Sequence, residues 1–200
     1  IDLPGERRGM IPNAAYYDKA YKRSWNALTV ISIGIGQGEV TATPLQIANL
    51  AATVANRGHY FVPHVARHIQ GERLDTTYTR PRRTMVARRW YEYAVAGMRR
   101  SVLAGTCRGA EFPGGEVCGK TGTAQNRGHD HSAFMGFAPM TRPKIAVCVY
   151  VENGGFGADF AMPMGSLIME QYINGKLSPS SAAKAESFRQ RHINYGSHAR

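Results

Sequence analysis

The sequence predicts an α+β fold: an antiparallel sheet of at least three strands flanked by helices. Three observations carry that expectation. EVCGKTGTA, SAFMGFAP and KIAVCVYVE are strand-like runs following one another in the second half of the chain. The link MTRPK between the last two is short, which calls for an antiparallel hairpin. Segments near 44–56 and 86–103 repeat apolar residues at helical spacing, and a third helix is expected near 163–174, ahead of Gly175.

Residues 1–30 read as irregular, with prolines, a glycine-containing opening and scattered aromatics. SIGIGQGEVTATP follows, with glycines at 34, 36 and 38 that suggest a tight loop. The next helix has a start signal: Thr43 as cap, Pro44 in first position and Gln46 completing a capping box. Ile47, Leu50, Ala51 and Val54 share one of its faces, and Gly58 is placed to stop it. Residues 60–70 read as a strand, with Pro63 arguing for a sheet edge. In the helix over 86–103, Trp90, Ala94, Met98 and Val102 form the expected buried stripe. The strands are expected near 117–124, 132–139 and 144–152, the last so continuously apolar that both faces should be buried. Residues 1–175 then form one domain or part of one, and 176–200 a polar, basic tail with the composition of a disordered segment.

The formal net charge of +11 sits largely on two segments, seven arginines within 80–100 and five lysines or arginines within 176–200. Such charge suits an anionic partner, but the aromatics among those arginines fall at core spacing, so nucleic acid is not expected. Three cysteines are too few for a disulfide framework; Cys118 and Cys148 lie in apolar runs and read as small core residues. His64 and His68 stand four apart in a segment read as a strand, with no third ligand near in sequence, so neither metal nor cofactor is expected. No apolar run approaches bilayer length. The chain opens on Ile1 in mid-phrase, which suggests an excised piece of a longer protein.

GGEVCGKTGTAQ raises a question of identity, because Gly114-x-x-x-x-Gly119-Lys120-Thr121 fits the phosphate-loop pattern at every position. A phosphate loop needs a buried strand before its first glycine and a helix starting at the lysine, whose amides hold the phosphates. Here GTCRGAEFP precedes and TGTAQNRGHD follows, a loop and a glycine-broken polar run. The alternative is that Lys120 lies on a strand, with Val117 and Gly119 facing one way and Cys118 and Lys120 the other. Lys120 then supplies positive charge, Thr121 and Thr123 offer hydroxyls and backbone N–H groups, and Gly122 lets a ligand reach the backbone. The tripeptide alone is equally compatible with an ordinary edge strand bearing an exposed lysine.

The surroundings bear on that choice. K-T-G is a signature of penicillin-binding proteins and class A β-lactamases. GKTGTAQ followed by DHSAFMGFAP and KIAVCVYVEN, with SIGIGQGEVTATPLQIANLAATVANRG and YFVPH before it, resembles the transpeptidase domain of class B penicillin-binding proteins. Within that class the sequence looks most like the elongation-type enzymes, and the resemblance runs over about residues 1–175. It implies a partial transpeptidase fold and a serine D,D-transpeptidase that cross-links peptidoglycan stem peptides and is acylated by β-lactams. It implies that Lys120 is the K-T-G lysine, raising the positive potential and bonding the serine of an S-x-N motif. It also implies that Thr121 and Thr123 receive the substrate carboxylate, and that the Thr123 N–H donates to the oxyanion. Cell-elongation membrane proteins are the implied partners, and the periplasmic face of the bacterial inner membrane, with an anchor upstream, is the implied location.

The sequence departs from the family pattern at two motifs. The family places S-x-x-K and S-x-N before K-T-G. Ser181-Ala182-Ala183-Lys184 comes after it, and Ser24-Trp25-Asn26 stands too close to the glycine-rich stretch, so both read as decoys. The nucleophile is then expected outside this chain, the isolated chain is expected to be inactive, and apolar surface left uncovered is expected to favour self-association. A serine β-lactamase or a penicillin-sensing domain would share K-T-G, and a non-catalytic anion- or peptidoglycan-binding module would fit the basic charge.

Overall fold

The computed structural model describes Ile1 and residues 4–193. The chain divides into two compact units, Gly5–Thr43 and a larger one made of Ile1–Pro4 with Pro44–Arg200.

The smaller unit corrects the expectation of irregular chain. It contains helix α1 (Ala14–Ala20) and helix α2 (Ala27–Gly34), so the first part of the predicted glycine loop is helical. Each helix starts on an asparagine: Asn13 Oδ1 accepts the Tyr16 N–H, and Asn26 Oδ1 accepts the Leu28 N–H. Such caps satisfy amides that a helix leaves unpaired at its start, which lets short helices form in unpromising composition. Met10 and Thr41 exchange both backbone hydrogen bonds at 2.9 Å and close the unit. Buried Tyr17 packs against the rings of Tyr21 and Trp25, and both tyrosine hydroxyls donate to Glu39.

In the larger unit, α3 (Pro44–Ala55) matches its predicted span and buries Ala51 and Val54. Its end is built by Arg57 at φ 55° and two bonds, Gly58 N–H to Thr53 O and Arg57 N–H to Val54 O. These are the two bonds of a Schellman stop, with an arginine in the left-handed position. The strand expected over 60–70 is only β1 (His59–Tyr60), paired antiparallel with β2 (Arg82–Arg83), with α4 (Thr76–Thr79) between them. Pro63, three residues past Tyr60, lacks an N–H and can donate to no ladder.

Helix α5 (Arg88–Ala104) buries Tyr91, Val95, Met98 and Val102. The predicted stripe is therefore off by one residue in its first half. Trp90 is 53% exposed and stacks with Tyr93 and the Arg89 guanidinium. Tyr91 turns inward because its hydroxyl finds Thr84 Oγ1 at 2.8 Å. A buried phenol needs such a partner, and local periodicity does not reveal one.

The main sheet runs β3 (Cys118–Ala124), β4 (His131–Ala138), β5 (Ile145–Val151), in that order and antiparallel throughout. Lys120 pairs with Met135 and Met135 with Cys148; Gly122 pairs with Ala133 and Ala133 with Tyr150. Helix α6 (Ala161–Asn174) covers one face and ends at Gly175, φ 71°. Val117, Phe134, Val147, Met162 and Met169 form the core on that face, and Val54, Tyr91, Val95, Met98, Cys118 and Phe137 form the core on the other. β5 meets a core on both faces, Val147 with Ile145, Val149 and Val151 on the α6 side and Ala146 on the other, but less completely than expected: only Val147 is buried outright and Tyr150 is exposed.

The basic tail also departs from its composition. α7 (Pro179–Arg189) is a helix with proline in its first turn, and Phe188 meets Phe160 edge to face at 5.8 Å. Residues 194–200 of the predicted tail lie outside the described residues.

Candidate active site

Lys120, Thr121, Gly122 and Thr123 stand in consecutive positions of β3, an outer strand of the sheet. Lys120 is in mid-strand with β4 as the next element, so no helix starts at the lysine and the phosphate-loop pattern is a coincidence of spacing. Alternation along the strand holds as expected. Val117 joins the core under α6, whereas Cys118 joins the opposite core with Val95 and Phe137. The Lys120 side chain is exposed, and its Nζ donates to the Thr121 carbonyl at 2.6 Å. Gly122 is exposed, and Thr121 and Thr123 are half-buried.

The strand is held from both sides of the motif. The Thr121 hydroxyl donates to Thr106 Oγ1 at 2.8 Å. Arg99, from α5, donates from Nη1 to the Val117 carbonyl at 3.0 Å and to the Glu111 carboxylate, fixing the entry to β3. Neither Thr106 nor Arg99 carries a sequence signal, since both act through contacts between segments far apart along the chain.

The arrangement offers one side-chain cation, two hydroxyls and strand backbone to an anionic, extended ligand. Burial pushes the Cys118 thiol up to about 11, with Arg99 and Arg57 offsetting only part, so Cys118 is a core residue and not a thiolate. Cys107, Cys118 and Cys148 are all free thiols.

Both stray motifs have structural employment. In Ser24-Trp25-Asn26, Trp25 Nε1 donates to Asp18 and Asn26 caps α2. Ser181 and Lys184 stand on α7 and act on Glu170 of α6, a fully buried carboxylate whose Oε1 accepts the Ser178 N–H at 2.9 Å. Glu170 Oε2 is buried with no hydrogen-bond partner among the described residues. Burial raises the Glu170 pKa, but Ser181, Ser178 and Lys184 outweigh it, and the net direction is down.

The family described as penicillin binding protein transpeptidase domain matches residues 1–170. A peptidoglycan D,D-transpeptidase MrdA of Acinetobacter baumannii is 36% identical, the match covering 80% of this chain and 27% of that protein. A crystal structure of Pseudomonas aeruginosa PBP2 in complex with WCK 5153 superposes with a TM-score of 0.75 at 34% identity, over 90% of this chain and 41% of that one. A complex between PBP2 and MreC from Helicobacter pylori superposes with a TM-score of 0.70 at 25% identity, over 88% of this chain and 33% of that one. The chain spans less than half the length of each of these proteins.

Proposed function

The chain belongs to the penicillin-binding protein transpeptidase family, and on that basis we propose that it supplies the K-T-G strand of a serine D,D-transpeptidase that cross-links peptidoglycan. The observation that carries this is the position of Lys120-Thr121-Gly122-Thr123 on an outer strand, with the lysine exposed. In the reaction, a serine oxygen from a segment outside this chain bonds to the penultimate D-alanyl carbonyl carbon. The tetrahedral oxyanion collapses, the terminal D-alanine leaves as the amine carrying the proton that the serine hydroxyl gave up, and an amine of a neighbouring stem peptide then takes the acyl group and returns a proton to the serine oxygen.

In that scheme Lys120 supplies positive potential to the cleft. Thr121 and Thr123 hold the substrate carboxylate, and Gly122 keeps the backbone approachable. The Thr123 N–H donates to the oxyanion. β-Lactams enter the same cleft by presenting a carboxylate and a strained amide. The Helicobacter pylori relative solved with MreC supports the proposal that the whole protein works with a partner of that kind. That such partners are membrane proteins of cell elongation, met at the periplasmic face of the inner membrane, is what the family resemblance implies. No helix among the described residues is long and apolar enough to cross a membrane.

The test is Lys120→Ala in the complete transpeptidase domain that contains this chain. The rate of labelling by a fluorescent penicillin should fall by about 10²–10³, the scale of losing one transition-state stabilising group. An unchanged rate would remove Lys120 from the active site.

A further inference from the structure

The loop between β5 and α6 is fastened to the start of β4. The Asn153 N–H donates to His131 Nδ1 at 2.9 Å, and the Gly155 N–H donates to the Asp130 carbonyl at 2.8 Å. Buried Ser132 donates from Oγ to the Phe156 carbonyl at 2.8 Å and accepts the Ala161 N–H at 3.0 Å. Ser132 therefore bonds to the loop near its middle and to the first residue of α6.

Between those two attachments lies Gly157, buried against the paired residues Gly122 and Ala133. A β-carbon at 157 would stand 2.5 Å from Gly122 O, 2.5 Å from Ala133 O and 3.0 Å from Gly122 N. All three obstacles are backbone atoms of two hydrogen-bonded strands, so no side-chain rotation relieves the contact. The Gly122 carbonyl and the Thr123 N–H belong to the same planar peptide, and pushing one end tilts the other.

We propose that the loop 152–160 positions the oxyanion donor, with Gly157 setting the plane of the Gly122–Thr123 peptide and Ser132 clamping the loop in place. This rests on the assignment of the Thr123 N–H made above and adds two positioning residues to it. Gly157 touches no substrate. It acts by abutting the peptide that does, and a side chain there forces either β3 or the loop to retreat. Ser132 acts one step further away, by fixing where Gly157 sits.

The experiment uses the complete domain containing this chain, as wild type, Gly157→Ala and Ser132→Ala. Acylation by a chromogenic β-lactam is followed to saturation, which separates reversible binding from the acylation step; the amplitude gives the folded fraction. The acylation rate constant of Gly157→Ala should fall about 10- to 100-fold, the scale of a misplaced catalytic group, with reversible binding changed far less. Ser132→Ala, which adds no atoms, should show the same split to a smaller degree. The Thr123 amide resonance should shift in both variants while that of Val147 stays. Wild-type acylation rate constants in both variants, with an unmoved Thr123 resonance, would overturn the proposal. If Gly157→Ala does not fold, Ser132→Ala alone decides by the same two readouts. A wild-type domain that is not acylated sinks the functional assignment instead, and the Thr123 resonance then still tests whether the loop sets the peptide.

Discussion

Gly165 of α6 meets the ring of Phe134 on β4 so closely that a β-carbon at 165 would lie 2.5 Å from Phe134 Cδ1. Helix and sheet approach to this distance because one partner has no side chain, and Phe134 is almost wholly buried as a result. Gly165→Ala should destabilise the larger unit by about 1–3 kcal/mol, the usual range for overpacking a core. Phe134→Leu in the same background should recover part of that loss. Chemical denaturation of the single and double variants checks both.

The Glu170 carboxyl titrates below its ordinary range when folded. A lowered folded pKa means that its contribution is present above the unfolded value, near 4.5, and is lost as pH falls through the lower folded value. Attachment of α7 to α6 should therefore loosen in acid. Limited proteolysis after Arg189 and Lys184, with an acid-tolerant protease added for the low-pH points, should accelerate severalfold as pH drops. In Glu170→Gln that pH dependence should be absent.

Within Gly5–Thr43, burial and the bond to Glu39 raise the Tyr17 pKa to about 12, and the Glu39 bond raises that of Tyr21. The Tyr21 and Tyr17 hydroxyls lower the pKa of Glu39. The tyrosine contributions are complete below pH 10 and disappear as pH rises through their higher folded values. That of Glu39 is present above about 4.5 and disappears below it. Ultraviolet titration should show a tyrosine ionising near pH 12, and Glu39→Gln should bring it down.

The isolated chain should form no ester with penicillin. Ser181, the one serine followed by lysine three residues on, is engaged with Glu170 on the α6–α7 side of the molecule. Fluorescent penicillin should label the complete domain and leave this chain unlabelled on a denaturing gel. Labelling of the chain that disappears with Ser181→Ala or Ser24→Ala would identify a nucleophile here.

The isolated chain should also self-associate. Ile145 of outer strand β5 borders a groove of about 440 Å³ with Leu167, Ile168, Tyr172 and Leu177. Ile168 is 49% and Tyr172 63% exposed there. An uncovered strand edge beside an apolar helix face favours pairing with a second copy. Sedimentation should show mass rising with concentration, and Ile168→Lys with Tyr172→Glu should restore the monomer. A strict monomer throughout would count against it.

The three strands and the helix from Pro44 were legible in the sequence because their signals are local: two-residue alternation, a short link, a proline at a helix start. The strand position of Lys120 was legible for the same reason, since the residues around it rule out a following helix. Other features come from contacts between distant segments and leave no periodic trace. Thr84 turned Tyr91 inward in place of Trp90, Phe160 and Glu170 gave α7 something to hold, and Asn13 and Asn26 capped helices in chain that composition marks as irregular. The placing of Gly157 against Gly122 is of this second kind. Nothing in NGGFGADF indicates which of its glycines must be bare. That was decided by where β3 and β4 run, because a steric limit belongs to the pair of backbones that meet and not to either sequence alone.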